Sequence, residues 1–324
     1  MDLDVVFLGT AGSMPTARRN PSATLVRRGG ERLLFDCGEG TQRQLLRSDV
    51  GLVDLEEIFF THYHADHFLG LPGMLKTFAL RGRDLPLTLY GPRGLAALLD
   101  TLRHVVGRLG YEVGVVELRD EETLPRDGYE LRTFPARHGR DAIGYALVEQ
   151  PRPGRFDVEA ADALGVPPGR ERGTLQAGEP VTLPGGRVVE PEQVLGAPRP
   201  GRRIALTGDT APSDHVVAAA YGADLLVHEA TFCEDEADRA HETEHSTARE
   251  AARVALDAGV RMLALTHVSS RYGGGDVERE AREVFPETVV PRDYDLIEIP
   301  FPERGAPELV KRGARPPRAV PSGP

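Results

Sequence analysis

The sequence has few cysteines and no long hydrophobic run. Cys37 and Cys233 are the only cysteines among 324 residues, too few for a disulfide framework, which fits a reducing compartment. No apolar run approaches the roughly 18 residues that a membrane span needs. The acidic start Met1-Asp2-Leu3-Asp4 has no signal-peptide pattern. We therefore predict a cytoplasmic protein without membrane-spanning segments.

Positive charge is also scarce. The formal net charge is −11, which counts against a nucleic-acid partner because phosphate binding usually requires a basic face. A local basic patch remains compatible with this total. With 40% hydrophobic and 27% charged residues, the composition is typical of a globular protein. The length suits one large domain or two small ones.

Metal-binding residue types, by contrast, are concentrated in residues 61–67. The apolar run 58–60 before them predicts a buried strand. Because side chains two apart in an extended chain point to the same side, His62 and His64 can face one ion, and Asp66 and His67 can face a second where the chain turns. These groups suit zinc, with manganese or iron as alternatives. The competing interpretation is a set of polar loop residues.

Further Asp and His residues follow other predicted strands. Asp209, His228 and His267 each come at or just after the end of an apolar run, and His138 follows a predicted strand at residues 129–135. Binding sites of open α/β sheets lie at the carboxyl ends of strands. We therefore expect several of these side chains to converge, although a lone histidine such as His138 is usually structural.

Seven side chains are predicted as metal ligands. They are His62, His64, Asp66, His67, His138, Asp209 and His267. Seven donors suit two ions, which can activate water and clamp a phosphoryl oxygen. Asp209 would bridge them, with His62, His64 and His138 on one ion and the remaining three on the other. No candidate ligand is a cysteine, which argues against a closed structural zinc site.

Other residues are candidates for catalysis and substrate binding. Asp66 could orient the attacking water or accept its proton. His245 is a candidate general acid, with Glu229 holding its ring in the required tautomer; both could instead be surface or structural residues. Arg18 and Arg19 in the loop ending at Asn20 could contact phosphate or could be ordinary solvated charges.

The region 151–200 interrupts the regular strand pattern. It is rich in Gly and Pro and has weak periodicity between two strong strand patterns, which indicates an insertion projecting from the core. The alternative is a disordered linker between two domains. Residues 304–324 are rich in Pro and Arg with little apolar content, which predicts a disordered tail after a catalytic domain of residues 1–303.

The chain resembles the ribonuclease Z family of the metallo-β-lactamase fold. The matching stretches are residues 35–43, 61–67, 208–210, 228–231, 245–247 and 265–272. The stretch 61–67 marks only the superfamily. The sequences His228-Glu229-Ala230-Thr231 and His245-Ser246-Thr247 are more specific to this branch. The resemblance extends to about residue 300.

The resemblance implies a four-layer αβ/βα sandwich, two zinc ions per subunit with manganese as an alternative, and a homodimer. It implies cleavage of precursor tRNA just past the acceptor stem, leaving a 3′-hydroxyl on the tRNA and a 5′-phosphate on the trailer. The family's ligands correspond to the seven residues above, its proton acceptor to Asp66 and its catalytic histidine to His245. Region 151–200 resembles the family's flexible arm, which grips the tRNA elbow.

One departure and two competing functions accompany the resemblance. Many relatives have a basic residue at the place of Ala17, whereas this chain has Arg18, so the response to CCA-bearing precursors stays open. A hydrolase of small phosphodiesters or esters could use the same metals but has no need of an arm. A non-catalytic RNA-binding module is disfavoured by the complete set of seven candidate ligands.

Overall fold

Two β-sheets pack face to face in the computed structural model, which describes residues 1–52 and 55–314. The first sheet has eight strands in the order β17-β16-β1-β2-β3-β4-β5-β6. In chain order its strands are β1 (Leu3–Gly9), β2 (Ala23–Arg28), β3 (Glu31–Phe35), β4 (Glu57–Phe59), β5 (Leu87–Pro92), β6 (Val113–Leu118), β16 (Leu296–Glu298) and β17 (Glu308–Val310). From β3 to β6 neighbouring strands are parallel.

The second sheet has seven strands in the order β15-β14-β13-β12-β9-β8-β7. Its strands are β7 (Thr123–Arg126), β8 (Tyr129–Pro135), β9 (Ile143–Glu149), β12 (Arg203–Leu206), β13 (Leu225–Glu229), β14 (Leu263–Thr266) and β15 (Thr288–Val289). Strands β12 to β15 are parallel, so their carboxyl ends share one edge. Residues 129–135 predict β8, and the apolar runs before Asp209, His228 and His267 predict β12, β13 and β14, whereas no strand was predicted at β7 or β9.

Strand β1 shows why these sheets are buried on both faces. Val5 and Phe7 point into the core between the sheets, whereas Val6 and Leu8 pack on the helix side. Side chains alternate across a strand, so a strand covered on both faces is apolar at successive positions. The run Val5-Val6-Phe7-Leu8 is therefore fully buried.

Helices cover both outer faces. Those that flank the first sheet are α1 (Thr41–Arg47), α2 (Ala65–Phe68), α3 (Gly70–Leu80) and α4 (Leu95–Val106). Those that flank the second sheet are α7 (Asp214–Ala220), α9 (Ala248–Ala258) and α10 (Gly274–Arg282), and the short helix α8 (Ala237–Glu242) lies between β13 and α9 in the chain. The predicted four-layer αβ/βα sandwich is thus confirmed. Among the described residues, no helix combines the length and apolar character needed to cross a bilayer.

Helix α9 illustrates how the sequence fixes an element next to the site. Thr247 and Glu250 form a capping box at its start, and Gly259 ends it with φ of 62°, a left-handed conformation that glycine adopts without strain. Its buried face is largely alanine, so the helix can lie close to the sheet. His245 is held immediately before this capped end.

Region 151–200 is folded. It contains α5 (Val158–Leu164), α6 (Arg170–Gln176) and a hairpin of β10 (Val181–Thr182) and β11 (Val188–Val189). Its own hydrophobic core consists of Ala161, Val166, Leu175, Val181, Leu183, Val189 and Val194. The alternative of a disordered linker is therefore wrong. We call residues 151–200 the arm from here on.

Part of the predicted disordered tail is folded. Strand β17 pairs with β16 antiparallel through residues 308–310, and Pro307 is buried. The carboxylate of Asp295 accepts a hydrogen bond from the backbone N–H of Arg312 at 2.9 Å. The prediction that disorder begins at residue 304 is therefore wrong. Backbone hydrogen bonds at the edge of the sheet order this segment despite its low apolar content. Residues 315–324 lie outside the described residues.

Candidate metal centre and active site

The cluster 61–67 lies directly beyond strand β4. His64 is extended, and the chain turns into α2 at Ala65, so Asp66 and His67 lie on the first turn of a helix. The ring centroids of His62 and His64 are 4.6 Å apart, and those of His62 and His67 are 4.1 Å apart. The predicted change from strand to turn therefore brings three imidazoles together within six residues.

Three distant strand ends complete the cluster. His138 follows β8, Asp209 follows β12 and His267 follows β14. Nε2 of His138 lies 3.1 Å from Nδ1 of His64. Nε2 of His267 lies 3.1 Å from Oδ2 of Asp66 and 3.3 Å from Oδ2 of Asp209. The predicted convergence of strand ends is what the structure shows.

The donor atoms of the seven predicted ligands fall into two groups, and Asp209 and His267 form a third group with His245. His62, His64, His138 and Asp209 offer ligand atoms that all lie within 4.8 Å of one another, and so do Asp66, His67 and His267. Asp209 stands between them, because its Oδ2 is 3.7 Å from Nε2 of His62 and its Oδ1 is 3.3 Å from Nε2 of His67. This position is the one expected of a bridging carboxylate.

Two buried atoms in the cluster lack the partner that burial normally requires. Nε2 of His62 and Oδ1 of Asp209 have no hydrogen bond in the part of the chain that the structure describes. Burying an unpaired polar atom costs roughly 1–3 kcal/mol. Both atoms face the cluster, so a cation bound there would satisfy them. The residues present therefore fit divalent metal ions.

The outer ring nitrogens of three histidines are held by oxygen atoms. Nδ1 of His67 contacts Oδ2 of Asp36 at 2.8 Å, Nδ1 of His138 contacts the carbonyl of Glu244 at 2.9 Å, and Nδ1 of His267 contacts Oγ1 of Thr231 at 2.8 Å. Each contact favours a proton on Nδ1 and leaves the lone pair of Nε2 facing inward. Metal-binding histidines are typically oriented in this way.

Burial and neighbouring charges set the protonation of the cluster. Burial, reinforced by nearby His67, holds the pKa of His62 well below its ordinary value, so its ring is neutral and able to bind a metal. Burial alone would also lower the pKa of His67, but Asp209 and Asp36 outweigh it and raise that pKa well above normal. A metal ion must therefore displace protons, which makes binding pH-dependent.

His245 and Glu229 form a pair beside the cluster. Nδ1 of His245 donates to Oε1 of Glu229 at 2.7 Å, and the ring lies 4.6 Å from that of His138. Glu229 also accepts hydrogen bonds from the backbone N–H groups of Thr210 and Thr231, both at 3.0 Å. Burial lowers the pKa of His245, but the carboxylates of Glu229 and Asp209 outweigh it and raise the pKa to about 9.

Comparisons with known proteins agree with this geometry. A family model described as the metallo-β-lactamase superfamily matches residues 16–267. A protein named ribonuclease Z from Natronomonas pharaonis is 51% identical over 94% of this chain and 100% of its own length. Another ribonuclease Z, from Myxococcus xanthus, is 50% identical over 92% of this chain and 98% of its own length.

The chain belongs to the ribonuclease Z family. A crystal structure of the short form of human tRNase Z covers 92% of this chain and 99% of its own, with a TM-score of 0.67 and 29% identity. The metallo-β-lactamase fold protein YhfI from Bacillus subtilis has a TM-score of 0.68 with 20% identity and shows the fold alone. Family membership and the cluster together support use of divalent metal ions.

The three predicted substrate-binding residues differ in their surroundings. Arg18 is exposed. Arg19 is turned inward, where its Nη1 donates to Oγ1 of Thr10 at 2.6 Å and to the carbonyl of Pro291 at 2.8 Å. The side chain of Asn20 donates to the carbonyl of Glu39 at 2.8 Å. Arg19 and Asn20 thus fasten the loop, and a phosphate contact by any of the three stays a prediction.

The same loop reaches the candidate metal centre of this ribonuclease Z relative. The backbone N–H of Ser13 donates to Oδ2 of Asp66 at 2.8 Å, and Ser13 has φ of 60°. Non-glycine residues rarely adopt that conformation. The loop after β1 therefore contributes directly to the position of the predicted proton acceptor.

Two residues with a clear supporting role were absent from the predicted site. Asp36, with φ of 60°, contacts His67 and also accepts hydrogen bonds from the backbone N–H and the hydroxyl of Thr61. Thr231 contacts His267 and donates to Glu229 at 2.6 Å. Both lie inside stretches that carry the family resemblance, which is the only sequence feature that could have indicated them.

Proposed function

We propose that this protein is a hydrolase that removes the 3′ trailer from precursor tRNA, leaving a 3′-hydroxyl on the tRNA and a 5′-phosphate on the trailer. The observation that carries the proposal is the convergence of seven His and Asp donors around buried, unpaired atoms of His62 and Asp209. Relatives about 50% identical over nearly the whole chain bear the name ribonuclease Z, which supports this substrate.

The proposal includes two Zn²⁺ ions per subunit, with Mn²⁺ as an alternative. One group of ligands would be His62, His64 and His138, the other Asp66, His67 and His267, with Asp209 shared. Imidazole and carboxylate donors without cysteine suit either metal. When bound, such ions lower the pKa of water toward neutrality and neutralise charge on a phosphoryl oxygen.

Asp66 is assigned to orient the attacking water and accept its proton. Its carboxylate is only partly buried, so it can meet both the cluster and the solvent side. The N–H of Ser13 and Nε2 of His267 contact its Oδ2 at 2.8 and 3.1 Å. These contacts orient the carboxylate, because one oxygen is held on both sides.

His245 is assigned to protonate the leaving 3′ oxygen of the tRNA. Since its Nδ1 is hydrogen-bonded to Glu229, the proton on Nε2 is the one available for transfer. Glu229 is buried and fully engaged with Thr210 and Thr231, so it stays ionised and keeps the ring of His245 in this tautomer. The raised pKa of His245, about 9, keeps the acid protonated at neutral pH.

The arm is assigned to binding precursor tRNA away from the cleavage site. A net charge of −11 disfavours RNA contact over the whole surface, so a projecting unit and local arginines such as Arg18 would make it. We further propose a homodimer in which the arm of one subunit serves the other. A precursor tRNA substrate also implies a cytoplasmic location.

Incubation with a precursor tRNA that carries a 3′ trailer tests this function directly. We expect two products from one cut near the acceptor stem, with a 3′-hydroxyl on the tRNA and a 5′-phosphate on the trailer after end mapping. Chelation should abolish the reaction, and metal analysis should find two ions per chain. Intact precursor after incubation with the metal-loaded protein would refute the proposal.

A hydrolase of small phosphodiesters is the alternative that the same metal centre allows. Deleting the arm distinguishes the two functions, because only a tRNA needs it. We expect the deletion variant to lose precursor tRNA cleavage and to retain hydrolysis of a chromogenic phosphodiester. Unchanged tRNA cleavage by that variant would show that the assignment of the arm is wrong.

A further inference from the structure

The arm joins the body of the protein through a narrow base. The chain leaves at Arg152 and returns at Arg199, and these two residues exchange backbone hydrogen bonds of 2.7 and 2.9 Å. A second antiparallel bridge, between Phe156 and Leu195, lies further into the arm. Such a short ladder leaves the direction of the arm to be fixed by side-chain contacts at its base.

The carboxylate of Glu303 contacts the arm both where the chain enters it, at Arg152, and where the chain leaves it, at Arg199. Oε1 and Oε2 of Glu303 accept from the two terminal nitrogens of Arg152 at 2.9 and 3.0 Å. Oε1 of Glu303 also accepts from Nη1 of Arg199 at 3.0 Å. Among the described residues, every side-chain hydrogen bond that leaves the arm ends on Glu303. A fork-to-fork arginine–carboxylate pair fixes orientation as well as distance.

The ring of Phe301 links the same base to the core. The guanidinium of Arg152 lies 3.5 Å from the ring centroid and that of Arg202 lies 4.1 Å from it. Arg202 is 2% exposed and is fixed by Glu149 through hydrogen bonds of 2.8 Å. The buried Arg202, the ring of Phe301 and Arg152, the first arginine of the arm, are therefore stacked in series.

We propose that the segment Phe301–Glu303, which we call the base clamp, is a positioning element that sets the direction of the arm and thereby the affinity for precursor tRNA. The inference rests on the proposed function. A tRNA that contacts both the arm and the metal centre is bound at two sites. The affinity gained from the second site depends on whether the direction of the arm lets one tRNA reach both sites at once. If the base is loosened, the arm can adopt more orientations, and the affinity gained from binding at both sites falls.

The test compares Glu303→Gln and Phe301→Leu with the wild-type protein in the full-length, metal-loaded chain. For both variants we expect KM for precursor tRNA to rise by about tenfold with little change in kcat. Kinetic constants for a chromogenic phosphodiester should not change, because the metal centre is untouched. Glu308→Gln, an exposed acid in the same terminal segment, is the matched control and should behave as wild type.

Hydrogen–deuterium exchange supplies a second readout that does not depend on activity. The backbone amides of Arg152 and Arg199 should exchange faster in Glu303→Gln, while the amides of strands β12 to β14 should not change. High salt should accelerate the same two amides in the wild type, because partly exposed ion pairs are screened.

Unchanged KM for precursor tRNA in both clamp variants would overturn the inference, whether or not exchange at the arm base increases. Equal losses on precursor tRNA and on the small phosphodiester would also overturn it, because they would indicate a general structural defect. If the wild-type protein does not cleave precursor tRNA at all, the proposed function fails instead. Exchange at Arg152 and Arg199 in Glu303→Gln then still decides whether Glu303 orders the base of the arm.

Discussion

The metal centre and the arm solve different physical problems within one chain. The centre gathers donors from four separate parts of the sequence at the edge between two sheets, and hydrogen bonds hold their outer atoms. The arm is a run of consecutive residues with its own small core and a base held by Glu303. Chemistry requires donor positions fixed to a fraction of an ångström, whereas recognition of a large substrate can be carried by a separable unit.

The largest expected effect concerns the centre. Asp66→Ala should reduce kcat by on the order of 10³-fold for precursor tRNA and for a small phosphodiester alike, because general acid–base groups contribute about 10²–10⁴-fold. Steady-state kinetics on both substrates measure this loss, with Asp120→Ala, an exposed acid, as the control. Near-normal turnover of either substrate would mean that Asp66 is not the proton acceptor. It would also mean that the metal centre is not required equally for both substrates.

A change in the arm core, by contrast, should affect only the cleavage of precursor tRNA. Leu175 is fully buried within the arm, and Leu175→Ala should destabilise the arm locally by about 3 kcal/mol. Hydrogen exchange should accelerate within residues 151–200 only, and only precursor tRNA should be cleaved less efficiently. Val188→Ala, at an exposed arm position, is the control. Equal destabilisation of both sheets would mean that the arm is not a separate unit.

A smaller effect is expected from the residues that support the metal ligands. Asp36→Asn should weaken metal binding about 10- to 100-fold, because it replaces the carboxylate that contacts Nδ1 of His67. Competition with a chelator measures this affinity. The arm should be unaffected, so its exchange rates serve as the internal control. An unchanged affinity would show that Asp36 supports the fold rather than the ligand.

The smallest effect is a dependence of stability on pH at Asp293, which contacts the loop after β1. Burial raises the pKa of Asp293 to about 6, although Thr10 and Asn20 donate hydrogen bonds to it. Its ordinary value is about 3.9, so its contribution to the free energy of unfolding is complete below about pH 4 and is lost as pH rises through about 6.

Unfolding of the wild type and of Asp293→Asn between pH 4 and pH 7 tests this contribution. The stability of the wild type relative to the variant should fall by about 2 kcal/mol across that window. The amides of the arm, whose core is apolar, should show no matching trend. A constant difference between the two proteins would mean that folding does not raise the pKa of Asp293.

Much of the candidate site could be predicted because it depends on short-range geometry. The alternation of an extended chain placed His62 and His64 on one side, and the common edge of parallel strands brought Asp209 and His267 together. The supporting residues Asp36 and Thr231 were not predicted. Their role depends on which histidine ring each side chain contacts after the chain has packed. The residues around them show no periodicity from which that contact could be predicted.

The sequence by itself determined the inventory of metal donors, the apolar strands that carry them and the position of the insertion. These are local properties, set by residue type and spacing. Only the tertiary structure decided that Arg19 is turned inward, that the arm has a core of its own and that Glu303 contacts both Arg152 and Arg199. Each of these depends on packing contacts beyond the span of a helix or strand repeat, which no local pattern encodes.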